Sequence, residues 1–580
     1  MIRAVPGRRA THEGIVDDRY KWLVLSNTTL GVLMATIDTS IVLIALPDIF
    51  RGIHVNPLQP GNTFYLLWMI LGFMIVTSVL VVSLGRLGDM LGRVKMYNLG
   101  FVIYTFFSLV LSVTWMSGTA AALWLVIMRL FQGVGAAFLI ANSTAILTDA
   151  FPEHQRGMAV GINQIAGIAG TFIGLVLGGL LGPIQWRLVF VISVPVGLFG
   201  TIWAYRQLRE VPIRRTHHID WTGNLTFAVG LVALMVGITY GIQPYGGHVM
   251  GWSSPLVVVS LITGVAALTL FARVEARGPD PMFRLELFRI RAFSMGSIST
   301  LLAAVGRGGL MFTMVIWLQG IWLPLHGYNF SNTPLWAGIA LLPLTAGFLV
   351  AGPLCGYLSD RLGSRPFTVG GMIGAAGSFL MLELLPANFS YSTFGVILFV
   401  NGLAMGAFSA PNRAGVMNAL PPQDRGVGSG MNATFQNSGQ VISIGVFFTL
   451  MIIGLAATLP RALYSGLRGE GVSVALAHHV ATLPPVTTLF ASFLGDNPMA
   501  HLIDAHAAAS LSGVARATVF GHRFFPTIIQ GAFATGLHPA LDFAAVVCAL
   551  AAITSWFRGG RGDRQSRSVE AALGGHVARH

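Results

Sequence analysis

Charge is what this chain has least of. Only 10% of its 580 residues are charged, where a soluble domain carries about 25%. Hydrophobic residues make up 54% and the mean hydropathy is +0.71. A surface so poor in charge excludes a soluble globular protein. Cysteine is scarcer still: Cys355 and Cys548 both lie in apolar runs, which excludes a disulfide framework. No Gly-Lys-Ser/Thr phosphate loop, Ser-His-Asp set or paired carboxylates occur, so neither ATP drive nor hydrolytic catalysis is expected. His478, His479, His501, Asp504 and His506 match no metal-ligand spacing, so no metal or other cofactor is expected. The net charge of +13 is spread between apolar runs rather than gathered in a basic domain, which argues against nucleic acid as a partner.

What is present is a long series of apolar runs. They fall near 22–46, 63–84, 96–117, 120–148, 158–182, 186–206, 221–242 and 252–272, then near 293–323, 335–358, 366–386, 391–418, 427–456 and 538–557. This makes about fourteen spans by the hydropathy criterion. Residues 1–21 read as a basic cytoplasmic tail, 22–206 as a six-helix half, and 207–292 as a linker with two inserted helices. Residues 293–557 read as a second six-helix half containing a long extracytoplasmic loop at 459–537, followed by a basic tail at 558–580. That loop mixes Pro, Gly, His and short apolar stretches, and is expected to be a partly helical, membrane-skimming excursion without a packed core of its own. Placing both termini inside puts most Lys and Arg on the cytoplasmic side, including Arg86, Arg93, Lys95, Arg361 and Arg365.

The halves repeat. Gly85-Arg-Leu-Gly-Asp89-Met-Leu-Gly92-Arg93 recurs about 270 residues later as Gly356-Tyr-Leu-Ser-Asp360-Arg-Leu-Gly363-Ser-Arg365, and Pro152–Gly157 recurs as Pro421–Gly426. Such halves commonly enclose a substrate path. Asp38 is the acid inside the first run, and an intramembrane ionisable residue is a functional-site hypothesis by default. Arg129, inside the fourth run, is its expected partner. Arg307 sits in the ninth run where the repeat offset places the counterpart of Asp38, and it is expected to face the central cavity, pairing with Asp38 in one state or binding an anionic substrate group. Met311, Trp317 and Gln319 cluster with it as substrate-cavity candidates. The counterpart of Arg129 is Leu398, with Asn401-Gly402 echoing Gln132-Gly133. Gly170, Gly174, Gly178 and Gly179 in the fifth run form a groove for a neighbouring helix.

Four ordered motifs, Asp38–Pro47, Gly85–Lys95, Leu125–Gly135 and Trp186–Gly197, resemble the major facilitator superfamily in its fourteen-span drug:proton antiporter branch. The resemblance covers nearly the whole chain. It implies an all-α polytopic membrane protein with a major facilitator fold of two six-helix halves plus two inserted helices. It implies a proton-coupled exporter in the cytoplasmic membrane, not an enzyme, driven by the proton gradient and working as a monomer. Small lipophilic, often cationic compounds would be the cargo, with protons and the lipid bilayer as the other partners. Asp38 and Arg129 would then couple protons, while Gly85, Asp89, Gly92 and Arg93, with Gly356, Asp360, Gly363 and Arg365, would form the cytoplasmic gate that latches the halves. The glycines of the fifth span resemble the exporters' antiporter motif, although Leu175 stands where that motif has proline. Export of a lipid or cell-envelope precursor is the rival reading, and a membrane enzyme or non-transporting receptor the rival of another class.

Overall fold

The computed structural model describes residues 18–559 except 57–58, 60, 211–219, 249, 279–280, 282, 422–423, 494–496, 498, 500–502 and 504–510; at 18, 63, 153–154, 156–157, 360, 425–426 and 491–493 only the backbone is described. Much of both basic tails, His501, Asp504, His506, the Asp360 side chain and parts of the 152–157 and 421–426 repeat therefore lie outside the described residues.

Among the described residues fourteen long helices follow one another: α1 Asp18–Gly52, α2 Asn62–Leu91, α3 Arg93–Ser112, α4 Gly118–Ala150, α5 Glu153–Ile184, α6 Leu188–Gln207, α7 Trp221–Gly241 and α8 Pro255–Arg277. Then come α9 Arg291–Trp317, α10 in two pieces (Thr333–Ala340 and Leu342–Leu362), α11 Ser364–Glu383, α12 Tyr391–Asn418, α13 Arg425–Gly469 and α14 Phe524–Trp556. Among the described residues, thirteen of these pass as membrane spans by length and apolarity. The exception is α11, which is 20 residues long but carries Arg365, Glu383 and four glycines. It still packs between α12 and α14.

The repeat is visible in the packing. In the first half α1 lies on α5, α2 on α4 and α3 on α4; in the second, α9 lies on α13, α10 on α12 and α11 on α12. The turns joining α2 to α3 and α10 to α11 correspond as well. Gly92 (φ 113°) and Gly363 (φ 88°) each break the chain in a conformation that side chains rarely adopt. The halves meet along α2 and α13, and where α5 reaches α10.

The inserted pair is asymmetric. α7 spans the seam, leaning on both α2 and α13. Ser83 of α2 donates to the Asn224 amide oxygen of α7, and the Phe64 and Tyr240 rings lie 5.7 Å apart. α8 packs chiefly on α7 and leaves Val259, Ile262 and Val265 exposed, as a lipid-facing helix must.

The loop read at 459–537 is shorter than the hydropathy pattern indicates, and it does have a core. α13 continues to Gly469 and α14 begins at Phe524, with short helices Val474–Ala481, Pro485–Phe493 and Gly513–Val519 between. Leu459, Leu463 and Leu467 are fully buried, with Val480, Phe490, Val519 and Phe525 also enclosed. Their four-residue spacing is an amphipathic helical signal, which an average over all residues dilutes.

Candidate functional site

Asp38 lies near the middle of α1, and the glycines of α5 press α1 into place. A Cβ at Gly170 would stand 2.9 Å from the Leu33 carbonyl oxygen, and one at Gly178 2.6 Å from that of Ile41. At Gly174 it would overlap the Ile37 carbonyl and the Ser40 hydroxyl. These three therefore serve contact between α1 and α5. Gly179 faces the other half, where a Cβ would meet the Leu335 backbone nitrogen of α10 at 2.5 Å.

On the far side of α1 the carboxylate is enclosed by α4. Arg129 Nη1 donates to Asp38 Oδ2, and also to Gln132 Oε1 at 2.8 Å. Gln132 Nε2 donates to Asp38 Oδ1 at 3.2 Å and to Ser108 Oγ of α3 at 2.8 Å. Arg129 Nε reaches the Met69 carbonyl of α2 at 3.3 Å, and its guanidinium carbon lies 4.5 Å from the Phe73 ring centroid. Asp38 and Gln132 have no exposed surface and Arg129 only 1%. Both carboxylate oxygens and the guanidinium thus find partners away from water, the condition under which a buried pair is tolerated. Protonating Asp38 would remove the charge that Arg129 answers and leave a buried cation unpaired. Gln132, three residues after Arg129 and on the same helix face, was legible as part of the motif; Ser108 was not, because only the packing of α3 on α4 brings it in.

The second half keeps the frame and drops the pair. Asn401 Nδ2 donates to Ser378 Oγ at 2.7 Å, matching the bond from Gln132 to Ser108. Leu398 is fully buried where Arg129 stands in the first half, and Asn401 Oδ1 is buried with no hydrogen-bond partner. Arg307 does not pair with Asp38, whose charge Arg129 already meets. It is partly exposed, makes no hydrogen bond or ion pair with a described residue, and lies 5.7 Å from the Phe348 ring centroid of α10. The turn around it is also tied to α13. Ser443 of α13 accepts from Gly309 N–H at 2.7 Å and donates to the Val305 carbonyl at 2.5 Å, so it bonds the two groups that face each other across this turn of α9. A serine with no other distinguishing mark in the sequence carries this feature.

The other cavity candidates separate. Met311 is partly exposed beside Arg307. Trp317 is instead core: it is 1% exposed and packed on Phe389, Phe394 and Phe533 at centroid distances of 4.9, 6.1 and 6.2 Å. Gln319, in a π-helical turn after α9, is buried and donates to the Ile44 carbonyl of α1 at 3.4 Å, stitching the halves together rather than lining a pocket. A separate cavity of about 440 Å³ lies between the ends of α2 and α7, bordered by Asn62, Tyr65, Tyr240 and Gln243, away from Asp38.

At the turn after α2, Arg93 binds Asp89 and, in α4, Asp149, each at 2.6 Å. Glu210 accepts from the backbone N–H groups of Val94 and Lys95 at 3.3 and 3.1 Å, anchoring the start of α3. All of these partners belong to the first half or its exit. A Cβ at Gly85 would meet Ala141 at 3.6 Å, and one at Gly356 would meet Ala410 at 3.5 Å, ordinary contacts at matching places within each half. Arg365 stacks on Trp556 of α14 at 4.1 Å. A tie across the halves comes from the linker instead: Arg86 donates to the Pro281 carbonyl, and Arg284 pairs with Asp424 at the start of α13 at 2.5 Å.

The Major Facilitator Superfamily profile matches residues 28–219 and 212–444. The multidrug resistance protein Stp of Mycobacterium tuberculosis is 28% identical over 93% of this chain and 92% of its own. The riboflavin transporter RibZ of Clostridioides difficile is 28% identical over 74% and 88%, and the tetracenomycin C resistance and export protein of Streptomyces glaucescens 26% over 81% and 84%. Among solved structures, a bacterial homologue of the human lysosomal transporter Spinster, inward-facing and unoccupied, superposes with a TM-score of 0.55 at 17% identity, covering 93% of this chain and 97% of that one.

Proposed function

Because the chain belongs to the major facilitator superfamily, a family of transporters and not enzymes, we propose that it exports small lipophilic compounds in exchange for protons by alternating access. The observation that carries this reading is the buried Asp38–Arg129–Gln132 site, which ties one proton-binding group to the packing of α1 against α4. The relatives that confer drug resistance support export of drug-like cargo. Drive comes from the proton gradient, with no bound cofactor and one chain as the working unit. The even helix number and the basic turns at Gly92 and Gly363 support both termini lying on the cytoplasmic side of the cytoplasmic membrane. The cationic character that the family resemblance implies for the cargo is not part of this reading, since Asp38 is already held by Arg129 and offers a cation no free carboxylate.

The test is proton release on adding substrate to purified protein, comparing native with Asp38→Asn. Native protein releases about one proton per substrate bound, and the variant releases none while still binding. No release from either, with substrate bound, would overturn proton exchange.

A further inference from the structure

We propose that Arg307, with Arg413 as an outer station, receives the anionic headgroup of an amphipathic cargo: a carboxylate, sulfonate or phosphate on a lipophilic body. The proposal rests on the exporter reading above and names its substrate class. The first half's intramembrane charges cancel within one buried cluster, while among the described residues those of the second half do not. Arg307 and Arg413 are both partly exposed, and neither forms a hydrogen bond or ion pair with any described residue. Other carboxylates of the long helices lie towards helix ends or, like Asp542, on an exposed face. A cation held at this depth without a counter-charge is unfavourable, and an arriving anion removes that cost.

The placement of both arginines points the same way. α9 is flanked by α12, α13 and α14, yet hardly touches α10. Arg307 points into that gap and meets Phe348 across it. A Cβ at Gly306 would face Cys548 of α14 and one at Gly308 would face Gln440 of α13, so the neighbouring positions are committed to protein contacts. On α12, a Cβ at Gly406 would lie 2.9 Å from the backbone of Phe348 and Gly352, and Arg413 falls two turns later on the same face. Ala410 of α12 opposes Gly356, so Arg413 sits towards the Gly363 turn, roughly 10–15 Å from the level of Arg307. The two guanidinium groups thus mark a path along α10 from the basic end of the molecule to its middle. Ser443 fixes the turn that carries Arg307, bonding the Val305 carbonyl on one side of it and Gly309 N–H on the other, so the guanidinium is presented to the gap from a turn anchored on α13.

The test is equilibrium binding to purified protein in a neutral detergent, with no proton gradient, read by tryptophan quenching. The probes are pyrenebutyrate and its uncharged amide, pyrenebutanamide. Native protein prefers the acid by about tenfold or more. Arg307→Gln loses that preference while still binding the amide, Arg307→Lys keeps it to within about threefold, and Arg413→Gln loses a smaller part of it. Unchanged amide binding shows that each variant is folded. Equal affinity for acid and amide in the native protein, or an unaltered preference in Arg307→Gln, overturns the proposal. Competition identifies the source of the anion. Displacement by lysophosphatidic acid but not octanoate assigns a lipid phosphate, displacement by both assigns organic anions in general, and displacement by neither overturns the site. Since this measurement involves no proton, its failure would leave the proton-release test at Asp38 standing, and the reverse holds too.

Discussion

The two halves of this molecule share one frame and fill it with opposite electrostatics. In both, a serine on the third helix accepts from an amide on the fourth, Ser108 from Gln132 and Ser378 from Asn401. The helices leave their second span through a glycine of positive φ at matching places, Gly92 and Gly363. Yet the first half adds Asp38 and Arg129 and seals them from water, whereas the second has Leu398 for the arginine and Arg307 for the acid. The difference teaches that a repeat preserves packing more faithfully than charge. Backbone contact and a neutral hydrogen bond are needed to hold either half together. A buried ion pair adds little net stability over apolar packing, so one half can lose it without unfolding. Its retention in the other half fits a role in coupling rather than in folding.

The largest expected effect separates the two arginines. Arg129→Leu strands a carboxylate in a site with no water, and should cost about 3–5 kcal/mol. Arg307→Leu strands nothing, because Arg307 forms no hydrogen bond or ion pair with a described residue, and should change stability by under about 1 kcal/mol. Thermal unfolding in detergent checks both. Adding Asp38→Asn to Arg129→Leu should recover at least half of the loss, since the stranded charge is gone. Comparable losses for the two single variants would break the contrast, because Arg307 would then hold a structural partner.

A smaller effect separates the two helix contacts. In the first half Gly174 meets α1 at the Ile37 carbonyl, and in the second Ser443 stands at the corresponding place and bonds α9 instead. Gly174→Ala should destabilise by about 1–3 kcal/mol through overlap with a backbone that cannot retreat. Ser443→Ala should cost less than about 1 kcal/mol, because α9 runs as a helix through Val305 and Gly309 and needs no side chain from α13 to pair them. Hydrogen exchange at Gly309 should quicken in Ser443→Ala, since its N–H loses an acceptor; unchanged or slower exchange would show that the serine does not hold this turn of α9.

How much of this was legible in the sequence follows from the same physics. Hydropathy finds α1 to α12 because lipid demands long apolar runs, and it finds Asp38 and Arg129 because charge within such runs is rare. The repeat offset led correctly to Leu398 and Asn401. It could not give the geometry of Arg307, since position along a helix does not say which neighbour closes on it. Trp317 looked like a cavity residue through its nearness to Arg307 in sequence, but ten residues along a helix are about 15 Å, enough to reach a different neighbourhood. The ends of α13 and α14 were missed because they leave the apolar layer and become amphipathic, with Leu459, Leu463 and Leu467 buried against a small core of their own. A tie across the halves comes from Asp424, inside the Pro421–Gly426 repeat, and from Arg284, which no motif marks.

The smallest expected effect is the sharpest check on the shared frame. Ser108→Ala and Ser378→Ala each remove the acceptor of one amide–hydroxyl bond, worth about 1 kcal/mol in either half. If the frame is common, their stability losses should agree to within about 0.5 kcal/mol. Their functional effects should not agree. Gln132 is held between Ser108 and Asp38, so losing the serine frees the amide to turn and weakens one of the bonds on the carboxylate. Asn401 touches no charge, and its amide oxygen is already without a partner. Substrate-induced proton release should therefore change in Ser108→Ala and stay native in Ser378→Ala. Equal disturbance of proton release by both would mean that coupling is spread over both halves, and the division between a proton-binding half and a cargo-binding half would fail.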